Sequence, residues 1–193
     1  MIFPDLFGER IDLVSIDPTM PKRIIDDIDR YSRIPEFFEF LEFSEHKSRF
    51  ETERYYAKLL SRSRGTTGHY WLIKLSKEDK IIGTFGVLDI DVRKGMAEIG
   101  YGISPEHWRR GYFHETINLV LHHLFGAAGF HRIWAKTQSD NMASIKGLQT
   151  AGFITEGVLR DFYLSEKDGA RHDAIVLSIL NTADPLSFEF IAP

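Results

Sequence analysis

The sequence contains no cysteine. That excludes disulfides, thiolate metal sites and an acyl-cysteine intermediate, and it fits a reducing compartment. There is no P-loop, no G-x-G-x-x-G fingerprint and no H-E-x-x-H, so the chain lacks the signatures of nucleotide hydrolysis, dinucleotide binding and zincin chemistry. His122 and His123 are adjacent, which on a helix turns them about 100° apart, a poor pair for one metal ion. We expect no metal. No apolar run approaches the ~20 residues of a membrane span. The opening MIFPDLFGERIDL lacks a basic stretch followed by an apolar one, so no secretory signal is expected. These absences point to the cytoplasm. Positive charge is in slight deficit, 24 Lys and Arg against 28 Asp and Glu, with no basic stripe, which argues against nucleic acid as a partner.

What is present suits one α/β domain over 1–193. Of 193 residues 43% are hydrophobic, among them 15 Phe, ample material for a packed core. Residues 10–16 read as a first strand. Pro18 and Pro21 open a region of helical character from about 22 to 62, and Gly65 and Gly68 close it. Strand-like runs follow at 70–75, 81–90 and 96–103. In the last, Ala97, Ile99, Tyr101 and Ile103 alternate with Glu98, Gly100 and Gly102, a period of two. The period then lengthens: Ile117, Val120, Leu121, Leu124, Phe125 and Ala128 recur at helical spacing from a start near Gly111, with Gly129 as the stop. A strand at 132–137, a helix at 141–151 ended by Gly152, and two strands at 153–164 and 174–180 complete the pattern. The order predicts a mixed β-sheet of about seven strands flanked by helices. The core covers about 8–180. The tail, 181–193, carries Phe188, Phe190 and Ile191, suited to packing on the body or on a second copy in a homodimer.

The stretch Trp108-Arg109-Arg110-Gly111-Tyr112-Phe113-His114-Glu115 lies between a strand and an amphipathic helix. A first helical turn has free N–H groups and partial positive charge, and glycine lets a ligand approach the backbone. Arg109 and Arg110 add fork-shaped donors. Spacing alone leaves an ordinary solvated turn as the alternative.

Seven short motifs occur in order: Ala97-Glu98-Ile99-Gly100-Tyr101, Trp108-Arg109-Arg110-Gly111-Tyr112, Gly129-Phe130-His131-Arg132-Ile133, Asn141-x-x-Ser144, Ala151-Gly152-Phe153, Glu156-Gly157-Val158-Leu159-Arg160 and Asp173. The series resembles the branch of GNAT N-acetyltransferases that contains ribosomal-protein N-terminal acetyltransferases and spermidine acetyltransferases. The resemblance covers about residues 8–180. It implies a splayed sheet with acetyl-CoA as cosubstrate between the strands at 96–103 and 132–137. Tyr101, Gly102 and Ile103 would offer backbone to the pantetheine arm. Arg109, Arg110, Gly111, Tyr112, Phe113 and His114 would hold the pyrophosphate, and Asn141 would touch the pantetheine region. The family loop, [QR]-x-x-G-x-[GA], is altered in two places: Trp108 stands at its first position, and Phe113 at its last, where a small residue is usual.

An amine must be neutral to attack a thioester. A free α-amine has a pKa near ~8 and a lysine near ~10.4, so the first needs little deprotonation. Ser144 matches the serine proposed in this branch to protonate the leaving thiolate; serine is also ordinary in a first helical turn. Three residues are candidates for the base. Glu98 lies on the strand face opposite the apolar set, where it faces the cleft or serves as a structural carboxylate. Tyr163 stands where the serine-acetylating relatives carry glutamate, but a phenol with a pKa near ~10 is a poor base at neutral pH. His114 titrates in the useful range, but beside the loop it reads better as a capping or surface residue.

Glu36, Glu39 and Glu42, interleaved with Phe37, Phe40 and Phe43, form a strip that suits a cationic amine, or else the wet side of an amphipathic helix. The acceptor expected first is a protein N-terminal α-amine. A small amine such as a polyamine, amino acid, amino sugar or antibiotic is the second reading. A non-catalytic CoA- or partner-binding module is the third, favoured by Phe113 and Tyr163.

Overall fold

Eight strands and four α-helices form among the described residues, which in this computed structural model are 3–19, 22–64 and 67–182. In chain order they are β1 (Leu6–Phe7), β2 (Ile11–Ser15), α1 (Lys22–Ser32), α2 (Arg49–Ser63), β3 (His69–Leu75), β4 (Lys80–Asp91), β5 (Met96–Ile103), α3 (Tyr112–Phe125), β6 (Arg132–Gln138), α4 (Met142–Thr150), β7 (Ile154–Leu164) and β8 (Arg171–Leu180). Pro21, Gly65, Phe188, Phe190 and Ile191, which carried expectations above, lie outside the described residues.

The strands make one sheet in the order β1-β2-β3-β4-β5-β6-β8-β7. Every pair is antiparallel except β5 with β6. That parallel pair needs a crossover, which α3 supplies. The count is one strand above the expectation because the two-residue β1 is too short to show a period of its own.

Alternation sorts the side chains onto two faces. Ala97, Ile99, Ile133, Ala135 and Leu177 face Ile117, Val120, Leu121 and Leu124 of α3 and Ile145 and Leu148 of α4, all buried in one cluster. On the other face Tyr70, Leu72 and Ile81 meet Ile24, Ile28 and Tyr31 of α1 and Leu59 of α2. Buried Asp27 joins this second layer to the sheet by accepting from the Ile81 N–H at 3.0 Å.

The region from 22 to 62 is two helices, not one helical stretch. Helix α1 ends at Ser32, Pro35–Phe38 forms a short 3-10 turn, and an irregular segment runs on to Ser48. Ser48 caps α2, its hydroxyl accepting from the Glu51 N–H at 3.4 Å, while Glu51 reaches back to the Lys47 N–H at 2.7 Å. This is close to a capping box, and it starts the second helix where the Phe-rich segment stops. Helix α3 begins just after Gly111 as expected, but ends at Phe125 with Gly126 as its cap, ahead of Gly129. Asn141 caps α4 by accepting from the Ser144 N–H at 3.1 Å, and Gly152 follows its end at φ 93°.

Candidate active site: where two parallel strands part

Strands β5 and β6 pair from Met96↔Arg132 to Ile99↔Ala135 and then separate. Beyond that point the β5 edge at Gly100–Ile103 has no β6 partner, although its other edge stays paired to β4. Backbone groups thus face an open cleft of about 690 Å³. Tyr101, Gly102, Ile103, Asn141 and Ser144 line it, as do Arg109, Gly111, Tyr112, Phe113 and His114.

At one end stands the loop before α3. Arg109 and Gly111 both have left-handed backbone, φ 58° and 80°. Alternation with such residues turns successive N–H groups toward one side, an arrangement suited to anions. The N–H groups of Tyr112, Phe113 and His114 precede the first helical bond, Glu115 N–H to Gly111 O at 3.2 Å, and so are available to a ligand. The Trp108 indole donates to the Ile103 carbonyl at 2.6 Å, tying the loop to the end of β5. His114 is exposed, with Asn118 3.2 Å away. Arg110 points elsewhere and is outside the cleft lining; its carbonyl accepts from Arg10 at 3.0 Å.

Sequence reasoning missed what holds this loop. Arg10 and Glu115, 105 residues apart, pair at 2.8 Å, and Glu115 also accepts from the backbone N–H groups of Arg10 (2.7 Å) and Ile11 (3.2 Å). The Arg10 guanidinium also lies 5.1 Å from the centre of the Tyr112 ring. Strand β2 is thereby fastened to the first turns of α3. Nothing in the local sequence marks Arg10.

Phe113 fits for an equally remote reason. Its ring packs on Tyr101, centroids 4.4 Å apart, and occupies the space above Gly147 of α4, where a Cβ would lie 2.9 Å from the ring. The bulk absent from the usual loop is matched by bulk absent from the facing helix.

The Ser144 hydroxyl lies 2.6 Å from the Tyr101 hydroxyl. Burial holds the Tyr101 phenol far above its usual value, partly offset by that hydrogen bond, so it stays protonated at neutral pH. Glu98 is outside the cleft lining. It stands on the opposite face of β5 from Tyr101, 3.5 Å from Lys136, which does line the cleft. Burial raises the Glu98 carboxyl above its ordinary range, with Lys136 pulling the other way. Tyr163 lines the same end. Burial, then the charges of Glu98 and Glu42, push its phenol far upward, so it is a hydrogen-bond donor there and not a base.

The far end is closed by the segment between α1 and α2. Glu36, Phe37, Phe40, Leu41, Glu42 and Phe43 line it. Glu39 is exposed and outside the lining, because a 3-10 turn followed by irregular chain does not keep the spacing on one side. Phe37 lies so close to β5 that a Cβ on Gly102 would sit 2.7 Å from its ring. The segment is tied across to the β7–β8 turn: the Glu42 carbonyl accepts from the Glu166 N–H at 2.7 Å, its carboxylate from the Leu164 N–H at 3.3 Å, and Lys167 bonds the Phe38 carbonyl.

A sheet split at one parallel pair, with free helix-terminal N–H groups at one end of the cleft and carboxylates at the other, suits an anionic ligand at the first and a cationic one at the second. Residues 23–154 match the family model of the acetyltransferase (GNAT) domain, and the chain belongs to that family of acetyl-CoA-dependent acetyltransferases. It is 38% identical over 125 residues to the uncharacterized N-acetyltransferase YoaA of Bacillus subtilis, covering 65% of this chain and 68% of that one. To the ribosomal-protein-serine acetyltransferase of Escherichia coli it is 29% identical, over 48% of this chain and 52% of that one. The fold matches the crystal structure of a GCN5-related N-acetyltransferase from Brucella melitensis with a TM-score of 0.80 at 21% identity, covering 91% of this chain and 78% of that chain. It also matches that of the spermidine N-acetyltransferase of Vibrio cholerae in complex with CoA and spermine, with a TM-score of 0.72 at 19% identity, over 89% and 95%. Among the described residues no helix is long and apolar enough to cross a membrane.

Proposed function

We propose that this N-acetyltransferase acts on a protein or peptide N-terminal α-amine. The observation that carries the reading is the placement of the two ends of one cleft on either side of the β5–β6 parting: backbone donors at the α3 terminus, and a carboxylate-bearing aromatic wall between α1 and α2. The free edge of Gly100–Ile103 suits the amide-rich pantetheine arm, and the N–H groups of Tyr112, Phe113 and His114 suit the pyrophosphate. Asn141 stands beside that edge as the α4 cap.

The amine nitrogen attacks the thioester carbonyl carbon, the C–S bond breaks, and the thiolate takes a proton. Glu98 removes the amine proton through a water, its carboxylate tuned upward by burial toward the useful range. Tyr163 orients the nitrogen by accepting from one amine N–H through its phenol oxygen, directly or through water, which leaves the lone pair free to attack. Ser144, backed by the Tyr101 phenol, supplies a proton to the sulfur. Because Glu98 stands behind the cleft lining rather than inside it, the proton reaches it through that water.

The test is thiol release from acetyl-CoA with peptides bearing a free N-terminus, the same peptides N-terminally blocked, and small amines. Release and a mass gain on free-terminus peptides alone support the proposal. Transfer only to small amines replaces it with the second reading. Tight acetyl-CoA binding without transfer to any amine favours a binding module.

A further inference from the structure

We infer that the acceptor is a singly charged primary amine carrying a sizeable apolar group next to the nitrogen, such as an N-terminal Phe, Leu or Met. The inference rests on the proposed acetyltransfer and narrows its substrate. At the proposed acceptor end Phe37, Phe40, Leu41 and Phe43 form an apolar wall; Tyr163 lines the same cleft, and Glu42 is exposed at the rim. The wall is fixed, because Glu42 and Phe38 are bonded to the β7–β8 turn on the other side. An amine bound beside the wall would bring the group next to its nitrogen against the phenyl rings. One Glu42 oxygen accepts from the Leu164 N–H; the other has no hydrogen-bond partner among the described residues and is free for one ammonium.

The charge balance argues against a polyamine. The carboxylates lining the whole cleft are Glu36 and Glu42, against the cations Arg109 and Lys136, and the Lys136 ammonium is already paired with Glu98. Three or four ammonium groups would enter a cleft without surplus negative charge, beside apolar surface that returns nothing for their desolvation. One ammonium beside one apolar group satisfies both the rim and the wall.

The experiment compares kcat/KM for peptides differing only in the first residue (Phe, Leu, Ser, Asp, Ala), for phenethylamine and for spermidine, at saturating acetyl-CoA. The Phe and Leu peptides should exceed the Ala and Ser peptides by about tenfold or more, the size of discrimination an apolar pocket gives. The phenethylamine arm separates a free amine from a peptide as the source of the same chemistry. Phe40→Ala should narrow the Phe-to-Ala ratio by at least about fivefold, and Phe40→Leu should restore part of it. Equal rates across first residues, or a preference for Ser or spermidine, overturn the inference and leave acetyltransfer standing. If acetyl-CoA binds by calorimetry but no amine is acetylated, acetyltransfer itself fails and the inference falls with it.

Discussion

The two ends of the cleft are built in opposite ways. The end proposed for the cofactor is made of backbone: a strand edge that β6 has left, two left-handed residues and the first turn of a helix. The acceptor end is made of side chains on an irregular segment, held in place by a turn far away in sequence. Under the proposed function, backbone donors would meet a feature common to every CoA molecule, so this end would tolerate unusual side chains provided that the loop keeps its shape. Phe113 is such a case, its bulk taken up over Gly147. Side chains at the other end would, under the same proposal, select among amines, and small changes there would alter what is bound.

Four substitutions can break or sharpen that contrast. The largest effect is expected for Glu98→Gln, about a 100-fold fall in kcat, or about 2.7 kcal/mol, with acetyl-CoA affinity retained. Burial raises the Glu98 carboxyl, so the wild-type rate should fall on the acid side above 4.5, the ordinary glutamate value. The Gln variant should lose the Glu98 part of that limb and keep only the fall set by protonation of the acceptor amine. A wild-type limb at or below 4.5, or an unaltered kcat in the variant, removes Glu98 as the base.

Next is Gly111→Ala. A side chain at φ 80° is strained by about 1 kcal/mol, which should weaken acetyl-CoA binding by about fivefold in calorimetry if the loop shifts to relieve it. The acceptor KM at saturating acetyl-CoA should move much less; equal changes in both would mean that the two ends are not separable. An acidic side chain would blur the test, because the new Cβ would lie 3.3 Å from Arg10 and a carboxylate there would compete with Glu115 for it.

Gly147→Ala tests the accommodation of Phe113. The added methyl would meet the ring at 2.9 Å and should destabilise the fold by about 1 kcal/mol in urea unfolding, despite the better helix propensity of Ala. In a Phe113→Leu background the same change should reverse sign and stabilise by up to about 1 kcal/mol. Additive effects would show that the two positions do not share that space.

The smallest effect lies outside the cleft, where Arg132, Glu156 and Ser178 bind β6, β7 and β8 together. Arg132 first, and then Ser178, hold the Glu156 carboxyl at about 2. A depressed pKa in the folded state gives stability that is complete above the ordinary carboxylate value and is lost as pH falls through about 2. Glu156→Gln should therefore cost under about 1 kcal/mol at neutral pH, discounted for exposure, and the difference from wild type should shrink toward pH 2.

The legible parts of the molecule were those with a local cause. Alternation along 96–103 predicts β5, and the Asn141 and Gly152 signals bound α4 closely. The start of α3 after Gly111 follows from the change of period. The segment between α1 and α2 was misread as helical because its Phe and Glu spacing resembles an amphipathic stripe, whereas Pro35 and the cap at Ser48 divide it. That division is why Glu36 and Glu42 reach the cleft and Glu39 does not. Arg10, Glu115 and Lys136 were invisible as site residues, since each acts through a partner on another strand or helix.

By itself the sequence determined the class of fold, the strand at 96–103 and the start of the helix after Gly111. These depend on hydrophobic period and on the conformational freedom of glycine, both properties of short segments. Only the tertiary structure decided that β5 and β6 part after Ile99 and Ala135, that Gly147 makes room for Phe113, and that the β7–β8 turn holds the aromatic wall in place. Those outcomes depend on which surfaces meet across the sheet, and close packing fixes them through contacts between residues that no local pattern connects.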